Sequence, residues 1–187
     1  MLATTRDGAV SLLTLQRPER RNALDLELCR AVDAAAHAEV EAGARVLVLT
    51  GEGTSFCSGA DLGGVYGAEF LDALYGMLHG LTRLPVPVVA AVNGPAIGAG
   101  TQLALASDLR VADATAKFGV PTARNGMAVD AWTMRTLQTI AGGGTARRLM
   151  LAAETVDRDE ALGCGLADRA GTLEDALAWA AEIATLA

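Results

Sequence analysis

Lysine is almost missing from this chain: Lys117 stands alone against 14 arginines, and with 22 acidic residues the formal charge is −7. That balance argues against a general nucleic-acid binder, which needs a basic face to neutralise phosphates. Cysteine is scarce as well. Cys29, Cys57 and Cys164 are odd in number and far apart, which fits free thiols in a reducing, cytoplasmic compartment better than a disulfide framework. No Cys/His spacing suits zinc, so no metal is expected, and no Gly-Lys-Ser/Thr phosphate loop is present. No apolar run approaches a membrane-spanning length, and Met1–Asp7 reads as neither signal sequence nor anchor, so no membrane insertion is expected. Repeats, low-complexity tracts and linkers are also lacking, and residues 1–187 read as one domain.

What is abundant is apolar. Hydrophobic residues make up 51% of the chain, only 20% are charged, and the mean hydropathy is +0.31, enough to bury a sizeable core and to predict contact between subunits. The patterning predicts an α/β chain. Val10–Leu15 and Arg45–Thr50 read as strands around a helix that begins at Asn22 or Asp25 and runs to about Ala42. A loop over Gly63–Gly67 precedes a helix from about Ala68 to Leu81, and Pro85 and Pro87 mark the entry to the next strand. Further on, Asp108–Ala112 is a short strand and Thr115–Phe118 an extended segment. Asp130–Ala141 and Gly144–Ala153 are two helices. Asp157–Leu162 is a short helix stopped by Gly163, and Thr172 caps a last helix reaching Ala187.

Two stretches carry the chemistry. In the first, the buried run Val86–Val92 turns at Asn93-Gly94-Pro95, passes Gly98-Ala99-Gly100 and enters a helix over Thr101–Ser107. In the second, the Val46–Thr50 strand feeds a loop holding Phe56-Cys57-Ser58-Gly59-Ala60-Asp61-Leu62. Glycine-rich turns after buried strands expose backbone N–H groups and let a ligand approach closely. Two such turns can aim two donors at one carbonyl oxygen, which is an oxyanion hole.

These stretches, with Leu15-Gln16-Arg17-Pro18-Glu19-Arg20-Arg21-Asn22-Ala23-Leu24 before them and Phe118-Gly119-Val120-Pro121 after, resemble the crotonase (enoyl-CoA hydratase/isomerase) superfamily over nearly the whole chain. Within it the motifs are most similar to mycobacterial members that lack the two catalytic glutamates. The resemblance implies a crotonase-like ββα spiral core and a homotrimer or hexamer. The family's C-terminal helices, which help build the trimer and the acyl-CoA pocket, are expected to be absent from residues 1–187.

The implied ligand is a coenzyme A thioester, a fatty acyl-CoA or enoyl-CoA, with no other cofactor. Its carbonyl oxygen would lie between the N–H groups of Ala60 and Ala99, an arrangement worth about 3–4 kcal/mol per donor in comparable sites. Gly98 belongs to the same turn. Ala23, Ala60, Asp61 and Leu62 match the backbone contacts to coenzyme A, and Arg21 could meet its phosphates. The competing reading of Arg21 is a solvated basic edge, and that of Asp61 a loop-stabilising acceptor.

Hydration of an enoyl thioester uses two glutamates in this family, and here they fall at Gln102 and Thr122. An amide and a hydroxyl can orient water but cannot exchange a proton near neutral pH, so weak or absent hydratase activity is expected, with a role in binding acyl chains for lipid metabolism. Two alternatives stand beside this. One is an active hydratase or isomerase whose base is Asp130 or a residue outside residues 1–187. The other is a dehalogenase-like thioester enzyme with Asp130 as nucleophile. The plainer reading of Asp130 is a helix N-cap, favoured because Thr122 stands where the dehalogenase branch has an aromatic residue. Trp132 is expected in the pocket wall or core, His79 as a structural residue, and Ser58 lacks a histidine partner for hydrolase chemistry.

Overall fold

The computed structural model describes residues 1–61 and 67–186. Leu62 and all but the last residue of the loop expected over Gly63–Gly67 lie outside the described residues.

An antiparallel hairpin opens the chain, with β1 (Leu2–Asp7) and β2 (Val10–Leu15) joined through Gly8, whose φ of 55° suits a two-residue turn. Helix α1 (Leu26–Glu41) crosses over to β3 (Val46–Gly51), which pairs parallel with β2. Of the two predicted starts, Asp25 is the N-cap: its carboxylate accepts from the Leu28 N–H at 2.8 Å. Helix α2 (Ala68–Leu81) returns to β4 (Val88–Val92), and β5 (Pro95–Ile97) then leads into α3 (Ala99–Leu105). Strand β6 (Leu109–Ala112) rejoins β4, and β7 (Lys117–Gly119) pairs with β5. The remaining elements are α4 (Ala131–Leu151), β8 (Thr155–Asp157), α5 (Arg158–Cys164), β9 (Arg169–Ala170) and α6 (Leu173–Ile183).

Six strands form the main sheet in the order β1-β2-β3-β4-β6-β9, parallel beyond the first hairpin, and β5-β7-β8 form a second, smaller one. Side chains alternate across the main sheet, as the two-residue strand period requires. On one face Leu47, Leu49, Val88, Ala90 and Val92 join the large core with α1, α2 and α3. On the other, Val46, Val48, Val89, Ala91 and Val111 are covered by Ala176 and Ala180 of α6 and by Ala184, which caps its C-terminus. Burial on both faces explains the continuous apolar run of β4.

Several local expectations are adjusted. Gly163 lies inside α5, and the stop is Gly165 at φ 84°, in the left-handed region a C-terminal glycine serves. The two helices expected around the triple glycine meet directly at Gly142, whose φ of 76° and ψ of 156° break the helical path. The last helix, closed at its start by a Thr172–Asp175 capping box, ends at Ile183. Arg110, buried on β6, is compensated by Asp168 at 3.0 Å and by the carbonyls of Ser107 and Leu166.

Candidate active site

Both donor loops are fixed by polar clamps. Asn22 is fully buried at φ 55°; its side chain accepts from the Arg17 N–H at 2.9 Å and donates to Glu52 O at 2.9 Å and Ser55 O at 2.7 Å. It therefore ties the first loop to the one after β3. Asn93 does the same between β4 and β3, donating to the carbonyls of Gly51 and Gly53. An isolated parallel bridge, Leu24 N–H to Gly59 O and Asp61 N–H to Leu24 O, then sets Ala60 in place.

The second loop is built for close approach. Gly98 turns β5 into α3 at φ 57° and ψ −117°, a conformation strained for any residue with a Cβ. A Cβ on Gly100 would lie 2.0 Å from Cys57 O, and one on Gly59 2.8 Å from Ile97 O and 3.7 Å from Ala99 N. These contacts bring the Gly59-Ala60 segment against the start of α3. The Ala60 and Ala99 N–H groups find no acceptor among the described residues. Ala99 has an ordinary negative φ, so its methyl group costs the turn nothing. The Thr101 hydroxyl anchors this start, donating to Ala96 O at 2.6 Å and accepting from the Gly119 N–H at 3.1 Å.

A cavity of about 460 Å³ opens at this junction. Ala60, Gly98, Ala99, Gln102 and Thr122 line it, as do Leu74 and Tyr75 of α2 and the segment from Met127 to Val129. The structure thus joins five of the residues proposed from sequence. Among the described lining residues there is no carboxylate and no histidine.

The other candidates lie outside that lining. Asp61 pairs with Arg17 at 3.0 Å, and Arg17 also reaches Asp25 at 2.9 Å, consistent with the loop-stabilising reading. Arg21 is exposed at the edge of the loop, and its carbonyl accepts the Ser58 N–H. The Ala23 carbonyl accepts from Arg17 Nη1 at 2.6 Å. Trp132 packs edge-on against His79 with ring centroids 5.6 Å apart and is not among the described lining residues. Ser58 does line the cavity, but its hydroxyl donates to Arg20 O and no histidine lies among the described lining residues.

Asp130 caps α4, accepting from the Thr133 N–H at 3.0 Å and the Thr133 hydroxyl at 2.5 Å. Burial by itself would raise its carboxyl, but these bonds from Thr133 and the Trp132 N–H outweigh that and hold it below the usual carboxylate range. Gln102 Nε2 donates to the same carboxylate at 3.1 Å and to Thr133 Oγ1 at 2.7 Å. Tyr75 is the site residue the sequence did not reveal. Burial, with Asp130 beside it, pushes its phenol up, and the nearby Gln102 amide acts in the opposite direction. Its place on the apolar α2 gave no signal, because only the docking of α2 over α3 turns it toward Gln102.

The sequence pattern of the enoyl-CoA hydratase/isomerase family matches residues 5–186. A Mycobacterium tuberculosis protein named probable enoyl-CoA hydratase echA6 is 48% identical over 188 residues, spanning 100% of this chain and 77% of that protein. Its Mycobacterium leprae namesake is 47% identical over 192 residues, spanning 100% and 78%. Among solved structures, a probable enoyl-CoA hydratase/isomerase from Mycobacterium abscessus has a TM-score of 0.90 at 33% identity, covering 100% of this chain and 76% of that one. Pseudomonas aeruginosa DspI has a TM-score of 0.92 at 28% identity, covering 100% and 75%. The chain belongs to the enoyl-CoA hydratase/isomerase family, and its fold is the crotonase fold.

Proposed function

We propose that this chain binds fatty acyl-CoA thioesters and has little or no hydratase activity. The observation that carries this reading is the absence of any carboxylate from the described lining of the cavity, with Gln102 and Thr122 where acid and base are needed. The thioester oxygen would accept from the N–H groups of Ala60 and Ala99. The acyl chain would run between α2 and the segment from Met127 to Val129, with Arg21 at the edge near the coenzyme A phosphates. Coenzyme A enters as part of the ligand and no further cofactor is required.

Asp130 does not supply the missing base in this reading. Its oxygens are committed to Thr133 and Gln102, and a carboxylate held below its ordinary range is a poor proton acceptor. The same commitment removes it as a nucleophile. A binding protein would place the acyl chain for partners in lipid metabolism, in the trimeric or hexameric assembly that the resemblance implies.

The test compares the affinity of a saturated acyl-CoA with that of the matching S-alkyl thioether, which lacks the carbonyl oxygen. Two hydrogen bonds at about 0.5–1.5 kcal/mol each predict roughly 5–150-fold weaker binding of the thioether. Equal affinity would remove the two N–H groups from the site.

A further inference from the structure

We propose that Asn125 is a self-modification site: the Gly126 backbone nitrogen attacks the Asn125 side-chain amide, and the resulting deamidation puts a carboxylate into the cavity lining. Asparagine occurs only at positions 22, 93 and 125, and the structure treats the three differently. Asn22 is buried, with its amide held by Arg17, Glu52 and Ser55. Asn93, like Asn125, precedes a glycine. Its Nδ2 donates to Gly51 O at 2.7 Å and Gly53 O at 3.0 Å, and its Oδ1 accepts from the Gly51 N–H at 3.3 Å. A Cβ on Gly94 would lie 2.3 Å from Thr54 O, so amide and glycine are both fixed there. Asn125 is exposed, and its amide bonds to no other described residue. Gly126 follows at φ 63° and ψ 23°, with no atom within 4 Å of where a Cβ would stand.

The short asparagine side chain brings its amide carbon within a five-membered ring of the next backbone nitrogen. That nitrogen gives its proton to water and attacks the carbon; the N–C bond forms, the bond to Nδ2 breaks and ammonia leaves. Water then opens the succinimide at either carbonyl, giving aspartate or isoaspartate, and no oxidant or cofactor is consumed. Glycine favours the attack because no Cβ crowds the ring. The Gly126 N–H does donate to Ala123 O at 3.2 Å. This bond closes the last turn of an exposed five-residue 3₁₀ helix, Pro121–Asn125, where local opening costs little. Asn125 lines the cavity beside Pro121, Thr122 and Met127. Either product adds a negative charge to a described lining that has none, and an apolar acyl chain docking against it would strip water from that charge. Only this consequence rests on the acyl-CoA reading; the modification does not.

The test incubates the full chain at pH 8 and follows each asparagine by peptide mass spectrometry. In the folded chain Asn125 should convert to the acid first, whereas in urea both Asn-Gly sequences should convert together. Retention of the Asn125 amide in the folded chain while the unfolded chain loses it, or equal conversion of Asn93 and Asn125 in the folded chain, would overturn the proposal. Calorimetry with a saturated acyl-CoA reads the consequence. The converted chain and Asn125→Asp should both bind about fivefold more weakly than the fresh chain, and Asn125→Gln should keep its own starting affinity through the same incubation. Affinity unchanged by full conversion would overturn the effect on the cavity. Failure of the fresh chain to bind any acyl-CoA would overturn the ligand reading, while the mass spectra alone decide the modification.

Discussion

Gly100→Ala is the sharpest structural perturbation of the two-loop site. An alanine at this helical position would by intrinsic propensity stabilise α3 by about 1 kcal/mol. Here the added methyl group would fall 2.0 Å from Cys57 O, 2.8 Å from Cys57 C and 3.1 Å from Cys57 Cβ, so the obstacle is backbone that cannot swing aside. Relief requires the Cys57–Ala60 segment and the start of α3 to separate by about 1 Å, judged from ordinary van der Waals separation. Overpacking of this kind costs about 1–3 kcal/mol. At about 2–4 °C per kcal/mol for a chain of this size, Tm should fall by roughly 2–12 °C. Because the two donors move apart, acyl-CoA affinity should drop about tenfold or more beyond any loss of folded protein. Gly144→Ala is the control: no atom lies within 4 Å of its Cβ and its φ is ordinary, so thermal unfolding should show no loss of stability. A Gly100→Ala chain with unchanged Tm and affinity would refute the close packing of the two loops.

Other outcomes follow from the buried titratable groups. Because the Asp130 carboxyl is held below its unfolded value by Thr133 and its neighbours, its contribution to stability is complete above the ordinary carboxylate range and fades as pH falls through the folded value. Urea unfolding of Asp130→Asn should therefore show a smaller loss of stability between pH 7 and pH 3 than the unaltered chain. Burial pushes the thiols of Cys29 and Cys57 up to about 12, and both are fully enclosed, whereas Cys164 is partly exposed. At pH 8 iodoacetamide should modify Cys164 first, with Cys29 and Cys57 reacting only on unfolding, as mass spectrometry would read.

The parts of the fold legible in the sequence are those with local causes. The apolar run of β4, the period of α2, and the caps at Asp130, Asp157 and Thr172 all express short-range chemistry, and the structure has them. Strands β5, β8 and β9 are two or three residues long and exist through pairing with distant segments, which leaves no periodicity to read. Asn22 illustrates the same limit at the site. Its residue type suits a helix cap, yet burial, one local hydrogen bond from Arg17 and two long-range ones to Glu52 and Ser55 make it a clamp between loops. The cavity could be anticipated at Ala60, Ala99, Gln102 and Thr122 from motif positions. Tyr75 and the Gln102–Thr133 contact could not, since they depend on how α2 and α4 dock onto α3.

The most direct measurement follows the conjugated-enoyl absorbance of trans-2-enoyl-CoA after addition of the full chain, with calorimetric binding in the same samples. Saturable binding with unchanged absorbance is the predicted result. Rapid loss of the absorbance with formation of 3-hydroxyacyl-CoA would contradict it, showing that hydration here proceeds without a carboxylate at position 102 or 122.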